Sequence, residues 1–365
     1  MKNIVCIGGG HGTSAVLEGV KTLDANITGI ISMFDNGGSS GLLRDANYLP
    51  PGDLTRNMLA LSSHSDSIKA VLDYRLNGSS KRKNKICELI KLATEELGFY
   101  HESNEVYQEK DISDILNYTF EEILPKKEDI TPDGHTCRNL VFSAATNYSM
   151  FNYETAIRYV NTIMKVKGEI LPVSLDDAHL VARLSDNTII HGETNIDTRG
   201  KSKDNLPRIR DVWLTPYATA YEKSVEKIMQ ADRIILGPGD LYTSVIPALL
   251  PNGISEALQK TNAKIIYMVN AMTKHGETDE FSASDFVHEI TKYSGITPNL
   301  VVANTPFYSS QILNTYKEEF SNPVEIDRNR LEFYGSKLIV ADICMEKNGL
   351  IVHDPYSIAD IIRRT

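Results

Sequence analysis

Two stretches combine glycines, small hydroxyl side chains and flanking apolar runs: IGGGHGTSAV at 7–16 and LGPGDLYTSVIPALL at 236–250. In the first, Gly10 to Ala15 fit a G-x-G-x-x-A spacing between a strand-like run and a helical one. That arrangement lets backbone amides and a helix N-terminus approach a phosphate, with Gly9, Gly10, Gly12 and Thr13 as the contacting residues. Read alone, the same glycines also suit a tight strand-to-helix turn. In the second, Gly237 and Gly239 end a strand, and the hydroxyls of Tyr242, Thr243 and Ser244 fall where a helix should begin. Two such loops at opposite ends of the sheet-forming sequence point to a ligand with a diphosphate.

Further polar groups cluster between these loops. DNGGSSGLLRD (35–45), another glycine-rich loop, follows an apolar run and offers Asp35, Gly37, Gly38, Ser39, Ser40 and Arg44. Asp35 stands where a dinucleotide fold keeps an acidic residue for a ribose. In LPPGDLTRN (49–57), Asp53 can cap a helix whose first turn projects Arg56 and Asn57. GHTCRN (134–139) supplies His135 and Asn139, which suit either one shared site or a buried structural role. NAMTKHGETDEFSASDF (270–286) holds Asn270, Thr273, Glu277, Thr278 and Asp279, too many polar groups for a plain connector.

The elements that must carry these groups follow from hydrophobic periodicity. Branched apolar runs at 3–7, 27–34, 233–237, 264–270, 299–304 and 337–343 alternate with helical patterns such as SAVLEGVKTL (14–23). Continuous apolar strands separated by helices indicate a mainly parallel sheet covered on both faces, an α/β, Rossmann-like doubly wound fold in a single domain over 1–365. A charged, helix-prone segment at about 79–133 reads as a helical insertion. Residues 168–215, with HLVARL and TIIHGET around a turn, read as a β-hairpin excursion. NIDTRGKSKDNLPR (195–208) reads as a mobile polar surface loop.

Composition narrows the class. The 365 residues are 41% hydrophobic and carry a formal net charge of −10, so a substantial core is expected and nucleic acid is not an expected partner. The basic cluster Lys81, Arg82, Lys83 and Lys85 reads as a solvated helix end. Cys6, Cys87, Cys137 and Cys344 have no metal-site spacing and are expected to be reduced. With no leader-like segment and no apolar run of membrane-spanning length, a cytoplasmic protein without a membrane partner is expected.

Taken in order, GGGHGTS, DNGGSSGLLR, LPPGDLTRN, GHTCRN, GPGDLYTS and NAMTKHGETD resemble the CofD-like family, which includes 2-phospholactate transferases and a gluconeogenesis-factor branch. The wording DNGGSSG, LPPGD and GPG-LYTS is more similar to the latter. The resemblance implies a cleft whose walls are GGGHGTS and DNGGSSGLLRD, with Asp35 on a ribose, a sugar or a metal. It implies a regulator that binds a nucleotide or nucleotide-sugar ligand of the UDP-sugar type, linked to cell-wall synthesis, cell shape and carbon use. The transferase branch implies instead Mg2+, a guanosine diphosphate-linked donor and catalysis involving Asp35. A nicotinamide oxidoreductase is a third reading, on the glycine fingerprint. A homodimer and a protein partner engaging the helical insertion are further expectations. The chain departs from the family pattern at Asn36, Arg138 and Val352, each of which alters charge beside the expected cleft.

Overall fold

The computed structural model describes residues 1–76, 134–202, 206–305 and 307–365. Two compact units make up these residues, one formed by 1–35 with 171–365 and the other by 36–170.

The first unit is built on a seven-stranded sheet. Its strands are β1 (Lys2–Gly8), β2 (Ala25–Ile31), β3 (Glu169–Pro172), β7 (Arg233–Leu236), β8 (Lys264–Met268), β9 (Leu300–Asn304) and β10 (Lys337–Ala341). Their order is β10-β9-β8-β7-β1-β2-β3. The β1–β2, β1–β7, β7–β8, β8–β9 and β9–β10 pairs are all parallel. Strands buried on both faces lose the alternation of a half-exposed sheet, and β7 (RIIL) and β9 (LVVAN) are buried at every position. The doubly wound α/β architecture expected from the periodicity is therefore observed, with helices flanking the sheet.

Helix Gly10–Val20 follows β1 and buries Val16, Leu17 and Val20 at helical spacing. Helix Ala283–Ser294 starts at Ser282, whose backbone N–H donates to Asp285 Oδ2 at 2.9 Å, and stops at Gly295 with φ 72°. This is the start and stop chemistry of a capped helix. The last helix, Pro355–Arg364, packs on Gly10–Val20.

Two smaller sheets complete the unit. In the first, β4 (His179–Leu184) lies between β5 (Ile189–His191) and β6 (Ile209–Thr215), antiparallel to both. In the second, β11 (Cys344–Lys347) and β12 (Leu350–His353) form an antiparallel pair. Leu180, Ala182, Val212 and Leu214 join Val5, Ile7 and Ile234 in one apolar core, so the three-stranded sheet is fastened by burial.

The structure redraws three local expectations. Residues 169–172 lie in the main sheet rather than in the excursion, whose antiparallel strands span 179–215. Residues 193–201 are a short helix and a 3-10 turn, where a mobile loop was expected. Arg199 pins that segment by donating to the carbonyls of Gly276 (2.7 Å) and Pro207 (2.6 Å). DNGGSSGLLRD is not a loop throughout, because Gly38–Asp45 forms a helix behind Gly37.

The second unit contains helices Gly38–Asp45, Gly52–Leu61, Asp66–Asp73, Cys137–Tyr148 and Tyr153–Ile163. Leu43, Leu54, Met58, Leu61, Leu140, Phe142, Val160 and Ile163 are buried within it. The expected helical insertion at about 79–133 and the basic cluster at 81–85 fall outside the described residues. Cys6 and Cys137 are buried, and Cys344 is half-buried. No helix among the described residues is long and apolar enough to cross a membrane.

The chain on either side of 77–133 is closed by its own backbone. Leu76 N–H donates to His135 O (2.9 Å), Gly134 N–H to Leu76 O (2.8 Å) and Cys137 N–H to Tyr74 O (3.0 Å). Loop-closure entropy changes slowly with loop length, by roughly 0.6 kcal/mol per doubling. By loop closure alone, replacing residues 77–133 with a short Gly-Ser linker is expected to keep these three bonds and leave a cooperatively folded protein. Circular dichroism melts check this, and loss of the cooperative transition would refute it.

Candidate functional site

In the main sheet β2 and β3 lie to one side of β1, whereas β7 to β10 lie to the other. The strand order thus reverses between β1 and β7. In open α/β sheets, ligands bind at such a reversal, outside the carboxyl ends of the strands. Both glycine loops are there, GGGHG following β1 and GPGD following β7.

The two loops touch. A Cβ placed on Gly12 would sit 2.4 Å from the carbonyl oxygen of Pro238, a distance no side chain tolerates, so glycine at 12 is a condition of the contact. Thr13, fully buried, aims its hydroxyl at the same carbonyl at 3.4 Å. Gly239 N–H donates to Asn270 Oδ1 (3.3 Å), which ties the second loop to the end of β8. Helix Gly10–Val20 has Gly9 as its N-cap with no side-chain cap, leaving first-turn amides for an anion. The second loop instead leads into a π-turn over Leu241–Val245 and a 3-10 turn over Ile246–Leu249, so no regular helix starts at Tyr242.

An open cavity of about 360 Å³ lies beside the loops, lined by residues of the first unit. His11, Gly12 and Ala15 come from the first loop and its helix, Gly239 and Asp240 from the second, and Asn270 to Lys274 from the segment after β8. Tyr316, Ser321, Val352 and His353 contribute the rest of the wall together with Glu319 and Ile351. Tyr316 is fixed by its hydroxyl, which accepts from Ile351 N–H at 3.0 Å.

One wall holds a half-buried charge cluster. Lys274 Nζ donates to Asp240 (2.7 Å), to Glu277 (2.7 Å) and to Asp197. Glu277 has no exposed side-chain surface, and Thr243 Oγ1 donates to it at 3.3 Å. Burial pushes the Glu277 carboxyl up to about 7, opposed by the Lys274 charge and assisted by Asp240 and Asp197. For Lys274 burial acts downward, but Glu277, Asp240 and Asp197 outweigh it and hold the ammonium above the usual lysine range.

His353 is a second unusual group. Burial pushes its pKa down to about 4, a fall partly offset by a hydrogen bond to the Val269 backbone. Its Nε2 is buried without a protein partner. The ring is therefore neutral at ordinary pH.

In the second unit a different set of expected site residues forms a closed hydrogen-bond chain. Thr55 Oγ1 donates to Asn139 Oδ1 (2.6 Å), Asn139 Nδ2 to Ser39 Oγ (2.8 Å), and Ser39 Oγ meets His135 Nδ1 at 2.9 Å. All four are buried, and burial followed by the charge of Arg75 lowers the His135 pKa. Ser40 Oγ accepts from Gly52 N–H at 3.1 Å. Asp53 lies in the first turn of its helix, behind an N-cap at Pro51, and is 3.9 Å from Arg56. Asn57 turns its amide back to Asp53 O at 2.8 Å. Gly37 is the N-cap and Gly38 the first residue of the helix whose last turn carries Arg44. Arg138 is buried against Asp73, and burial lowers its pKa to about 10.

The structure therefore brings Gly9, Gly10, Gly12, Thr13, Gly237, Gly239, Thr243, Ser244, Asn270 and Thr273 together in the first unit. Gly37 to Ser40, Arg44, Asp53, Arg56, Asn57, His135 and Asn139 form the second group. Half-buried Asp35 follows β2 and ends the first segment of the first unit. Tyr242 departs from its expected role. It is 1% exposed, its ring packs edge-on to Phe281, and burial raises its pKa. An aromatic ring in a π-turn over the core gains more from burial than from facing water, so its hydroxyl is not a ligand group. Asp197, Asp240, Lys274, Tyr316, Ser321 and His353 were not singled out as site residues from sequence. Asp240 and Lys274 stood inside the quoted motifs, but Tyr316 and Ser321 carried no local signal.

Two outcomes test this geometry. Gly12→Ala forces the loops apart and is expected to cost about 1–3 kcal/mol of stability, read by chemical denaturation. For pH, a carboxyl whose folded pKa is raised from 4.5 to about 7 favours the folded state below pH 4.5, and that contribution is lost as pH rises through 7. Glu277→Gln is expected to flatten the stability profile between pH 5 and 8 relative to the parent. His353 acts with opposite sign, its contribution being present above pH 6.5 and lost as pH falls toward 4.

Comparison with known proteins places this arrangement. The family model described as 2-phospho-L-lactate transferase CofD matches residues 4–344. A Thermotoga maritima protein is 33% identical over 366 residues, covering 99% of this chain and 98% of its own length. The gluconeogenesis factors of Halalkalibacterium halodurans and Bacillus subtilis are 30% and 29% identical, with 99% and 98% of this chain covered and 95% and 96% of theirs. A crystal structure of a Bacillus halodurans protein superposes with a TM-score of 0.80 at 28% identity, covering 99% of both chains. The chain belongs to the CofD family.

Proposed function

We propose that this protein is a binding regulator of the gluconeogenesis-factor type, taking a nucleoside diphosphate sugar of the UDP-sugar class. The observation that carries this reading is the meeting of two glycine loops at the strand-order reversal, opening on one cavity. In it the first-turn amides of helix Gly10–Val20 hold the diphosphate. Asn270 orients the second loop, and the wall from Tyr316 to His353 accepts the remainder of the ligand. The names of the relatives support a role in carbon use. A cytoplasmic location, a link to cell-wall synthesis and cell shape, a homodimer and a protein partner at the insertion belong to the same proposal.

The family description favours a second reading, transfer of a phosphorus-containing group with Mg2+ near Asp35. The residues present fit a metal poorly. Among the described residues, the set of three ligating side chains close enough to share an ion is Asp197, Asp240 and Glu277, and the Lys274 ammonium already bonds to all three. Asp35 is followed by Asn36 rather than a second carboxylate. Binding without turnover is the better supported reading.

Thermal-shift measurements with UDP-glucose, GDP, GTP and NADP, each with and without Mg2+, test it. Ligand at a hundred times its Kd stabilises by about 2.7 kcal/mol. UDP-glucose is expected to raise the melting temperature without metal, and Asn270→Ala to weaken that binding about tenfold. A shift confined to guanine nucleotides with Mg2+ would favour the transferase.

A further inference from the structure

Resting on the diphosphate reading, we propose that Lys274 is the built-in cation of a three-carboxylate site that a divalent metal would otherwise fill. On this view the chain offsets part of the negative charge in the wall of its phosphate cavity with its own ammonium and takes its ligand without metal.

The geometry carries this in three steps. Asp197, Asp240 and Glu277 each place a carboxylate oxygen within 4.8 Å of the others, a spacing that suits one shared cation. They come from three separate segments: the end of helix Glu193–Asp197, the loop after β7, and the segment after β8. Lys274 Nζ occupies that point and bonds to all three. An ammonium has three donor hydrogens, so this one has none left for a ligand, and its contribution at the cavity is charge rather than contact.

That charge is needed where it stands. Asp240 follows Gly239 directly, lines the cavity and is 42% exposed at its side chain. A bare carboxylate next to the loop amides would repel the phosphate that those amides attract. Glu277 cannot turn away, since it is fully buried and held by Thr243. A divalent ion bridging carboxylates and phosphate is the usual solution in phosphate sites. Lys274 supplies a charge in the same place and makes the ion unnecessary. Lys274 is therefore a positioning residue, acting on the ligand through Asp240.

The test uses the full chain and Mn2+ as probe. Melting curves and Mn2+ electron paramagnetic resonance are recorded for the parent, Lys274→Ala, Lys274→Gln and Asp197→Asn combined with Lys274→Ala. The parent is expected to take up no Mn2+ at millimolar concentration. At least one single variant should bind one ion and gain several degrees in melting temperature, and the double variant should lose at least tenfold in that affinity. Mn2+ uptake by the parent equal to that of the variants, or no effect of Mn2+ on either single variant, overturns the proposal.

A second arm measures UDP-glucose affinity in EDTA and in Mg2+. The parent should show one affinity in both, whereas Lys274→Gln should lose at least tenfold in EDTA and recover in Mg2+. Parent affinity that needs Mg2+ also overturns the proposal. Absence of UDP-glucose binding by the parent in either buffer strikes the diphosphate reading, and the Mn2+ arm then decides the cation site by itself.

Discussion

The arrangement depends on one close approach, that of the Gly12 backbone to the Pro238 carbonyl. β1 and β7 are adjacent in the sheet, so whatever follows them must share the space above their carboxyl ends. Any side chain at Gly12 would push the loops apart and open the cavity to a different shape. Thr13, Gly239 and Asn270 then act as secondary ties, joining the first loop to the second and the second to β8. The glycines are thus explained first by packing between loops, and the backbone groups they leave bare are a by-product that a phosphate can use.

Electrostatics imposes the second constraint. The cavity wall contains more carboxylates than a phosphate site should tolerate, and the Lys274 ammonium balances part of that charge. The second unit solves a related problem by different means. Its buried Thr55, Asn139, Ser39 and His135 satisfy one another in a chain of neutral hydrogen bonds, so no counter-ion is required there.

Much of this was legible in the sequence because it is local. Apolar runs such as RIIL and LVVAN report burial on both faces, and the glycine loops sit where a strand pattern stops. Gly38–Asp45 was missed as a helix because two glycines and two serines lower helix propensity, yet packing in the second unit overrides it. Residues 169–172 were misread because four residues show no periodicity, and their place in the sheet is decided by pairing. The Asp197–Asp240–Lys274–Glu277 cluster joins positions up to eighty residues apart, which no spacing rule detects. Tyr242 shows the converse, since a polar residue in a motif can owe its place to its ring.

The position of β1 has a bearing on synthesis. In the finished sheet it is interior, paired with β2 on one side and β7 on the other. The chain reaches β7 only after more than two hundred further residues have left the ribosome. Until then the flank of β1 destined for Arg233–Leu236 is an open, apolar strand edge, the kind that recruits unwanted strands. Growth of the polypeptide thus leaves this interior strand unprotected for the longest time, and the ligand cavity exists only after that edge has closed.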